Sequence, residues 1–273
     1  MKKIIIVLFL FNSNFTYSQG GASEDDEMMR STFYLYGKAS SGTCFILCEP
    51  KTDSTCHLIL VTAKHVLDEM KGDSATIIYR ILINGKYAPF HYKIPIRKNN
   101  KNIYVSHPKQ DVSVINIAIP LIIDIYVLDT KYLANDKALI KNEVSPGMEI
   151  SCLGFPLGQA SNNAYFPILR NGLIASYPVY PTNEYPTFLY DVSIFKGNSG
   201  GPVYYSRYNY LLKNGKILTH KGKPKDPFMI LGLISKERIY VNNSPYKSEQ
   251  KQIYIAEVVH ANYIIETIKL LNL

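Results

Sequence analysis

The residues best suited to chemistry lie in Gly197-Asn198-Ser199-Gly200-Gly201-Pro202. A serine between glycines, after the apolar run 192–195, predicts a hydroxyl held on a tight turn. Glycine permits positive φ and close approach of another backbone. Pro202 removes a donor and opposes a continuing helix. Such a turn can aim successive backbone N–H groups into one small volume, as an oxyanion requires. A nucleophilic serine also needs a base, and the chain offers His57, His65, His91, His107, His220 and His260. His65 differs in context. It follows the apolar stretch 58–62 through Ala63 and Lys64, where a strand end fixes a side chain and leaves its tip open. The other five read as structural or exposed. A base is oriented by an acceptor on its second ring nitrogen. Asp111 opens the stretch 112–117, where a carboxylate is either buried at a strand mouth or a solvated cap.

Residues so far apart in sequence meet only if separate elements carry them. From residue 33 onward, apolar and β-branched runs alternate with Gly, Pro and Asn turns. The runs 43–47 and 57–62 predict a hairpin, and 75–83 joins 87–96 through Asn84-Gly85, a strong two-residue hairpin signal. Further strands are predicted at 112–119, 121–128, 148–153, 166–175, 187–194, 203–205 and 228–234. Many short, punctuated strands predict an all-β sandwich or barrel. Residues 258–271 carry apolar positions near helical spacing and predict a C-terminal α-helix, with a shorter helical turn at 63–70. Residues 204–227, rich in Tyr, Lys and Asn, read as an insertion or long surface hairpin.

Lys2 and Lys3, the apolar run 4–11 and the polar stretch 12–19 predict a signal peptide over 1–19. The apolar run is too short to span a bilayer, so export without stable membrane insertion is expected, ending in the periplasm or outside the cell. Residues 20–32, with Glu24, Asp25, Asp26 and Glu27, are expected to form a flexible N-terminus. The remaining length suits one large all-β domain over 33–273. A net charge of +8 favours solubility without specifying nucleic acid. Lys213, Lys216, Lys221, Lys223 and Lys225 read as a solvated face. Four cysteines in an exported chain permit disulfides. Cys48 and Cys56 flank a short turn they could staple, whereas Cys44 and Cys152 lie in apolar runs. No Cys-x-x-Cys pair or His/Cys cluster suggests a metal, and no cofactor is expected.

Four stretches together carry a family resemblance: Gly42-Thr43-Cys44-Phe45, Val61-Thr62-Ala63-Lys64-His65-Val66, Asp111-Val112-Ser113-Val114-Ile115 and Gly197 to Val203. With the weaker matches at 153–156, 171–176 and 231–235, the chain resembles the trypsin/chymotrypsin-like serine proteases, nearest to exported bacterial HtrA-like domains. The resemblance implies two six-stranded antiparallel β-barrels, divided near 120–145, with the site between them. It implies His65 as base, Asp111 as its orienter and Ser199 as nucleophile, with the N–H groups of Gly197 and Ser199 as oxyanion hole. It puts Ser193 at the floor of the primary specificity pocket, Ile194 and Phe195 near it, and Ser235 where the substrate backbone pairs. A protein or peptide substrate follows; the oligomeric state does not.

The chain departs from the family at several points. Val66 stands where many relatives have a half-cystine, and Asn198 where zymogen-activated relatives have an aspartate that pairs with a freed N-terminus. Ser193 supplies no carboxylate for an Arg or Lys side chain. Lys236-Glu237 replaces smaller residues of the pocket wall, and no peptide-binding PDZ domain is expected after Leu273. Two other readings compete. One is a non-catalytic binding module on the same fold. The other is a serine esterase with Asp226 and His260 completing a Gly-x-Ser-x-Gly elbow, although that elbow should lead into a helix.

Overall fold

The computed structural model describes residues 23–52, 55–206, 225–244 and 247–273. The expected signal peptide and most of the expected insertion lie outside the described residues. The chain is mostly β, in two units with a helix at each end.

Helix α1 (Glu24–Ser31) replaces the flexible terminus expected over 20–32. The Ser23 side chain accepts from Asp26 N (3.2 Å) while Asp26 Oδ2 accepts from Ser23 N (3.1 Å), a reciprocal cap. The acidic first turn complements the helix dipole. Met28 is fully buried, and Arg30 makes a two-point contact with Asp124, at 2.7 and 3.2 Å. Those residues give the acidic segment a reason to dock that its composition hides.

The first unit contains β1 (Thr32–Lys38), β2 (Ser41–Thr52), β3 (Thr55–Thr62), α2 (Lys64–Asp68), β4 (Lys71–Ile83), β5 (Lys86–Pro95), β6 (Arg97–Lys98), β7 (Lys101–Asn102), β8 (Val105–Ser106), β9 (Ser113–Ile117) and β10 (Leu128–Asp129). Its strand order is β5-β4-β1-β2-β3-β9-β8, with β10 parallel to β2. This is an open sheet, not the closed barrel expected. The cause is local: β8 has two residues, and β6 and β7 pair with each other apart from the sheet. Arg97 instead donates to the carbonyls of Met70 (2.8 Å), Gly72 (2.7 Å) and Leu67 (3.2 Å), tying that ladder to the turn after α2. The β4–β5 turn falls at Asn84-Gly85, both at positive φ, 49° and 75°. Cys48 and Cys56 are disulfide-bonded between β2 and β3, while Cys44 and Cys152 are free and buried.

Of residues 121–128, expected as a strand, only Leu128 joins one, at the start of β10; 121–127 form a turn and an irregular segment. Ile123 makes an isolated bridge to Ile81, and Leu121 and Ile122 remain 78% and 60% exposed. After α3 (Asp136–Lys141) the second unit is a closed six-stranded barrel, ordered β11 (Glu149–Gly154), β12 (Ile168–Ile174), β13 (Thr187–Asp191), β16 (Lys247–His260), β15 (Phe228–Ser244) and β14 (Pro202–Ser206). The terminal helix is α4 (Ala261–Lys269), shorter than expected because residues 258–260 complete the pairing of β16 with β13 and β15. A short apolar run fits either period, and closing the barrel decides it.

The candidate active site

His65 sits in the first turn of α2, directly after β3. Asp111 precedes β9, the neighbour of β3, so adjacent strand ends bring the two together. Asp111 holds His65 at two points. Its Oδ1 accepts from the His65 backbone N–H (3.0 Å) and its Oδ2 lies 2.8 Å from Nδ1. With Asp111 ionised, Nδ1 is the donor and Nε2 keeps its lone pair. Burial pulls the His65 pKa down, but the hydrogen bond and charge of Asp111, aided by Glu69 and Asp68, outweigh it and leave the imidazole above its ordinary value. Burial alone would raise Asp111, yet His65 and the Ser235 hydroxyl hold it below the usual carboxylate range.

Ser199 arrives from the second unit, on the loop between β13 and β14. Gly197 (φ 101°) and Gly200 (φ 85°) sit in the left-handed region, and a Cβ on either would strike the carbonyl of Phe155 or of Thr43, at 2.3 and 2.2 Å. This is the glycine requirement expected of the motif. The Lys196 carbonyl accepts from Leu157 N (2.6 Å) and the Asn198 carbonyl from Gly201 N (2.9 Å). A trans peptide points its N–H opposite its carbonyl. The Gly197 and Ser199 N–H groups are thereby turned away from those partners, and neither donates to any described residue.

Ser235 links the two halves. Its hydroxyl donates to Asp111 Oδ2 (2.6 Å), and its carbonyl accepts from the Ser199 hydroxyl (3.0 Å). A continuous chain of hydrogen bonds therefore runs His65–Asp111–Ser235–Ser199. Among the described residues no hydrogen bond joins Ser199 directly to His65; the hydroxyl is turned to the Ser235 carbonyl. Reasoning from the sequence placed Ser235 at the substrate strand and missed its hydroxyl on Asp111. A lone serine after an apolar run carries no sign of that role.

No protein-family model matches this chain, and no curated protein matches its sequence. Among solved structures it is similar to Rv3671c of M. tuberculosis H37Rv, an inactive serine-to-alanine mutant, at 13% identity and TM-score 0.45 over 89% of this chain and 87% of that one. It is also similar to the scabies mite inactivated protease paralogue S-D1, at 14% identity and TM-score 0.49 over 89% and 92%.

Near Ser199 in sequence, Ser193 is half-buried and its carbonyl accepts from Arg170 (2.7 Å), whose guanidinium lies 5.4 Å from the Phe195 ring. Ile194 is only 2% exposed and packs into the barrel core with Ile174, Ile234 and Val258. Lys236 and Arg238 both pair with Glu257, at 3.4 and 3.0 Å. Asn198 is buried, its Oδ1 against Gly154 and its Nδ2 without a partner among the described residues. The esterase reading finds no support. Asp226 pairs with Lys141 and Asn142, His260 is buried beside Phe188, and Pro202 opens a strand. Among the described residues no group of His, Cys, Asp and Glu side chains is arranged to hold a metal, and no helix is long and apolar enough to cross a membrane.

Proposed function

We propose that the chain is an exported serine endopeptidase of the trypsin/chymotrypsin-like kind, in the HtrA-like branch that its motifs resemble. The observation that carries the reading is the hydrogen-bonded chain from His65 through Asp111 and Ser235 to Ser199. In this mechanism the Ser199 hydroxyl turns from Ser235 to His65 Nε2, gives up its proton there and attacks an amide carbonyl. Asp111 stabilises the imidazolium that forms, and the Gly197 and Ser199 N–H groups receive the oxyanion. His65 then protonates the leaving amine, and water releases the acyl-enzyme. The test is labelling of the purified protein by a fluorophosphonate, located by peptide mapping, beside digestion of a peptide library. Labelling at Ser199 that vanishes with Ser199→Ala, together with cleavage, is the expected result.

A second reading, a peptide-binding module without turnover, is favoured by one observation: the Ser199 hydroxyl rests on the Ser235 carbonyl and not on His65. Peptide binding with neither labelling nor cleavage decides for it.

A further inference from the structure

The loop that carries Ser199 alternates two kinds of peptide unit. Units 196–197 and 198–199 are held by their carbonyls alone, which leaves their N–H groups open. Units 197–198 and 199–200 are held at both ends. Asn198 N–H donates to Phe195 O (3.0 Å) and Gly200 N–H to Ile234 O (2.7 Å). Both of their carbonyls go to one residue of the other half of the molecule. The Gly197 carbonyl accepts from Thr43 Oγ1 (2.7 Å), and the Ser199 carbonyl from Thr43 N (2.8 Å).

Thr43 is itself fixed on every side. It lies in β2, fully buried. Its hydroxyl accepts from Phe155 N (3.2 Å), and its carbonyl accepts from the Thr62 hydroxyl (2.8 Å) on β3. Thr62 is three residues before His65, so the strand that ends at the base also braces the residue that braces the nucleophile loop. Phe155, the other partner of the hydroxyl, presents its carbonyl against the Gly197 α-carbon. Gly197 is a glycine with free backbone torsions, so its peptide orientations are set by these partners and not by its own sterics. Removing the Thr43 hydroxyl leaves the buried Gly197 carbonyl without its donor, and the adjoining peptide turns to find another.

We infer that Thr43 is a positioning residue whose hydroxyl sets the orientation of the Gly197 peptide and so holds the oxyanion donors open. The inference rests on Ser199 being the nucleophile, and it concerns a residue that touches neither substrate nor Ser199 Oγ.

The test compares Thr43→Val, which keeps the β-branched shape and deletes the hydroxyl, with Thr43→Ser, which keeps the hydroxyl, and with Thr43→Ala. Melting curves identify which variants fold. In the folded ones, Thr43→Val is expected to lower kcat about 10- to 100-fold, somewhat less than outright loss of an oxyanion donor. KM should hardly move, and affinity for a peptide aldehyde that forms the tetrahedral adduct should fall in step with kcat. Thr43→Ser should restore most of both. A Val or Ala variant with undiminished kcat and aldehyde affinity overturns the role of Thr43 while leaving the peptidase reading standing. If the unaltered protein neither labels nor cleaves, that reading falls, and Thr43 is judged by amide hydrogen exchange. The Asn198 amide, bonded to Phe195 in the intact loop, should exchange faster in Thr43→Val; unchanged exchange overturns the inference.

Discussion

His65 titrates between two opposing influences, and the balance has a measurable consequence. Its pKa is raised above 6.5, and the neutral form is the one that accepts the proton, so activity should rise with pH through a midpoint above 6.5. A kcat/KM profile with its acid limb below that value contradicts the assignment. Asp111→Asn removes the larger of the raising influences, the Asp111 hydrogen bond and charge. It should move that limb down and lower kcat by roughly 10³- to 10⁴-fold, since the imidazole loses its enforced tautomer. Ser199→Ala and His65→Ala should each abolish hydrolysis without lowering the melting temperature. The double variant should lose little more, because the residues act as one unit. On the proposed reading the specificity pocket is floored by Ser193, whose carbonyl already takes the Arg170 guanidinium. A substrate cation there would meet the like charge of Arg170, so in a series of fluorogenic peptides Val, Ala or Leu before the cut bond should outpace Arg. The meeting of His65 with Asp111 was legible in the sequence because each stands where an apolar run meets a turn. Thr43 and the Ser235 hydroxyl were not, because a single hydroxyl in an apolar stretch gives no sign of its partner. Ile194, expected beside the specificity pocket, packs instead into the core of the second unit.

At the scale of elements, the hairpin at Asn84-Gly85 and the β2–β3 pair could be read directly, since turn chemistry and strand pattern agreed there. Where two periods fitted one run, as at 258–260, only tertiary closure could choose. The open first sheet was invisible for the same reason: its cause is which strands fail to pair. Helix α1 changes what is expected of the N-terminus. Buried Asn198 has no carboxylate to pair with a freed α-amine, so a protein starting near Gly20 with added residues should be as active as one with a native end. Deleting through Ser31 should instead destabilise the fold, because Met28 leaves a hole worth about 2–5 kcal/mol by itself. Peptide hydrolysis rates check the first statement, and urea unfolding of the form deleted through Ser31 checks the second. Strand β16 ends on His260, fully buried against Phe188, and among the described residues neither ring nitrogen has a well-directed hydrogen bond. Burial lowers its pKa to about 4, against the pull of Asp136 and the Val179 backbone. The unfolded chain binds that proton first, so stability should fall as pH drops from about 6.5 towards 4, by on the order of 3 kcal/mol in all. His260→Phe should flatten that slope, which melting temperatures at pH 5 and pH 8 measure.

The whole molecule is held by ends that cross. Helix α1 opens the described residues, yet Asp25 accepts from the Tyr204 hydroxyl (2.6 Å) on β14 of the second unit. Helix α4 ends the chain, yet Glu266 meets His107 of the first unit (3.2 Å), and Ile264 and Ile268 pack into the first unit's core. Arg80 of β4 is fully buried, with its guanidinium 4.4 Å from the Phe33 ring and 4.3 Å from that of Phe166. It donates to the carbonyls of Met29, Arg30, Thr32 and, across the junction, Tyr165. Burial pulls its pKa down to about 9, which Asp124 partly resists. Arg80→Met fills the space but strands those carbonyls, and should cost about 3–5 kcal/mol in chemical denaturation. The crossed ends also bear on how the protein could be taken apart. Leu121 and Ile122 project into solvent between the two units, with His65 and Asp111 on one side and Ser199 and Ser235 on the other. A polypeptide ending at Leu121 and another starting at Ile122 would each be inert, but each would carry a strap that fits the other. Mixed together, they should reassemble into a complementing pair whose activity, on the proposed reading, climbs with concentration, a two-piece reporter divided through the candidate site.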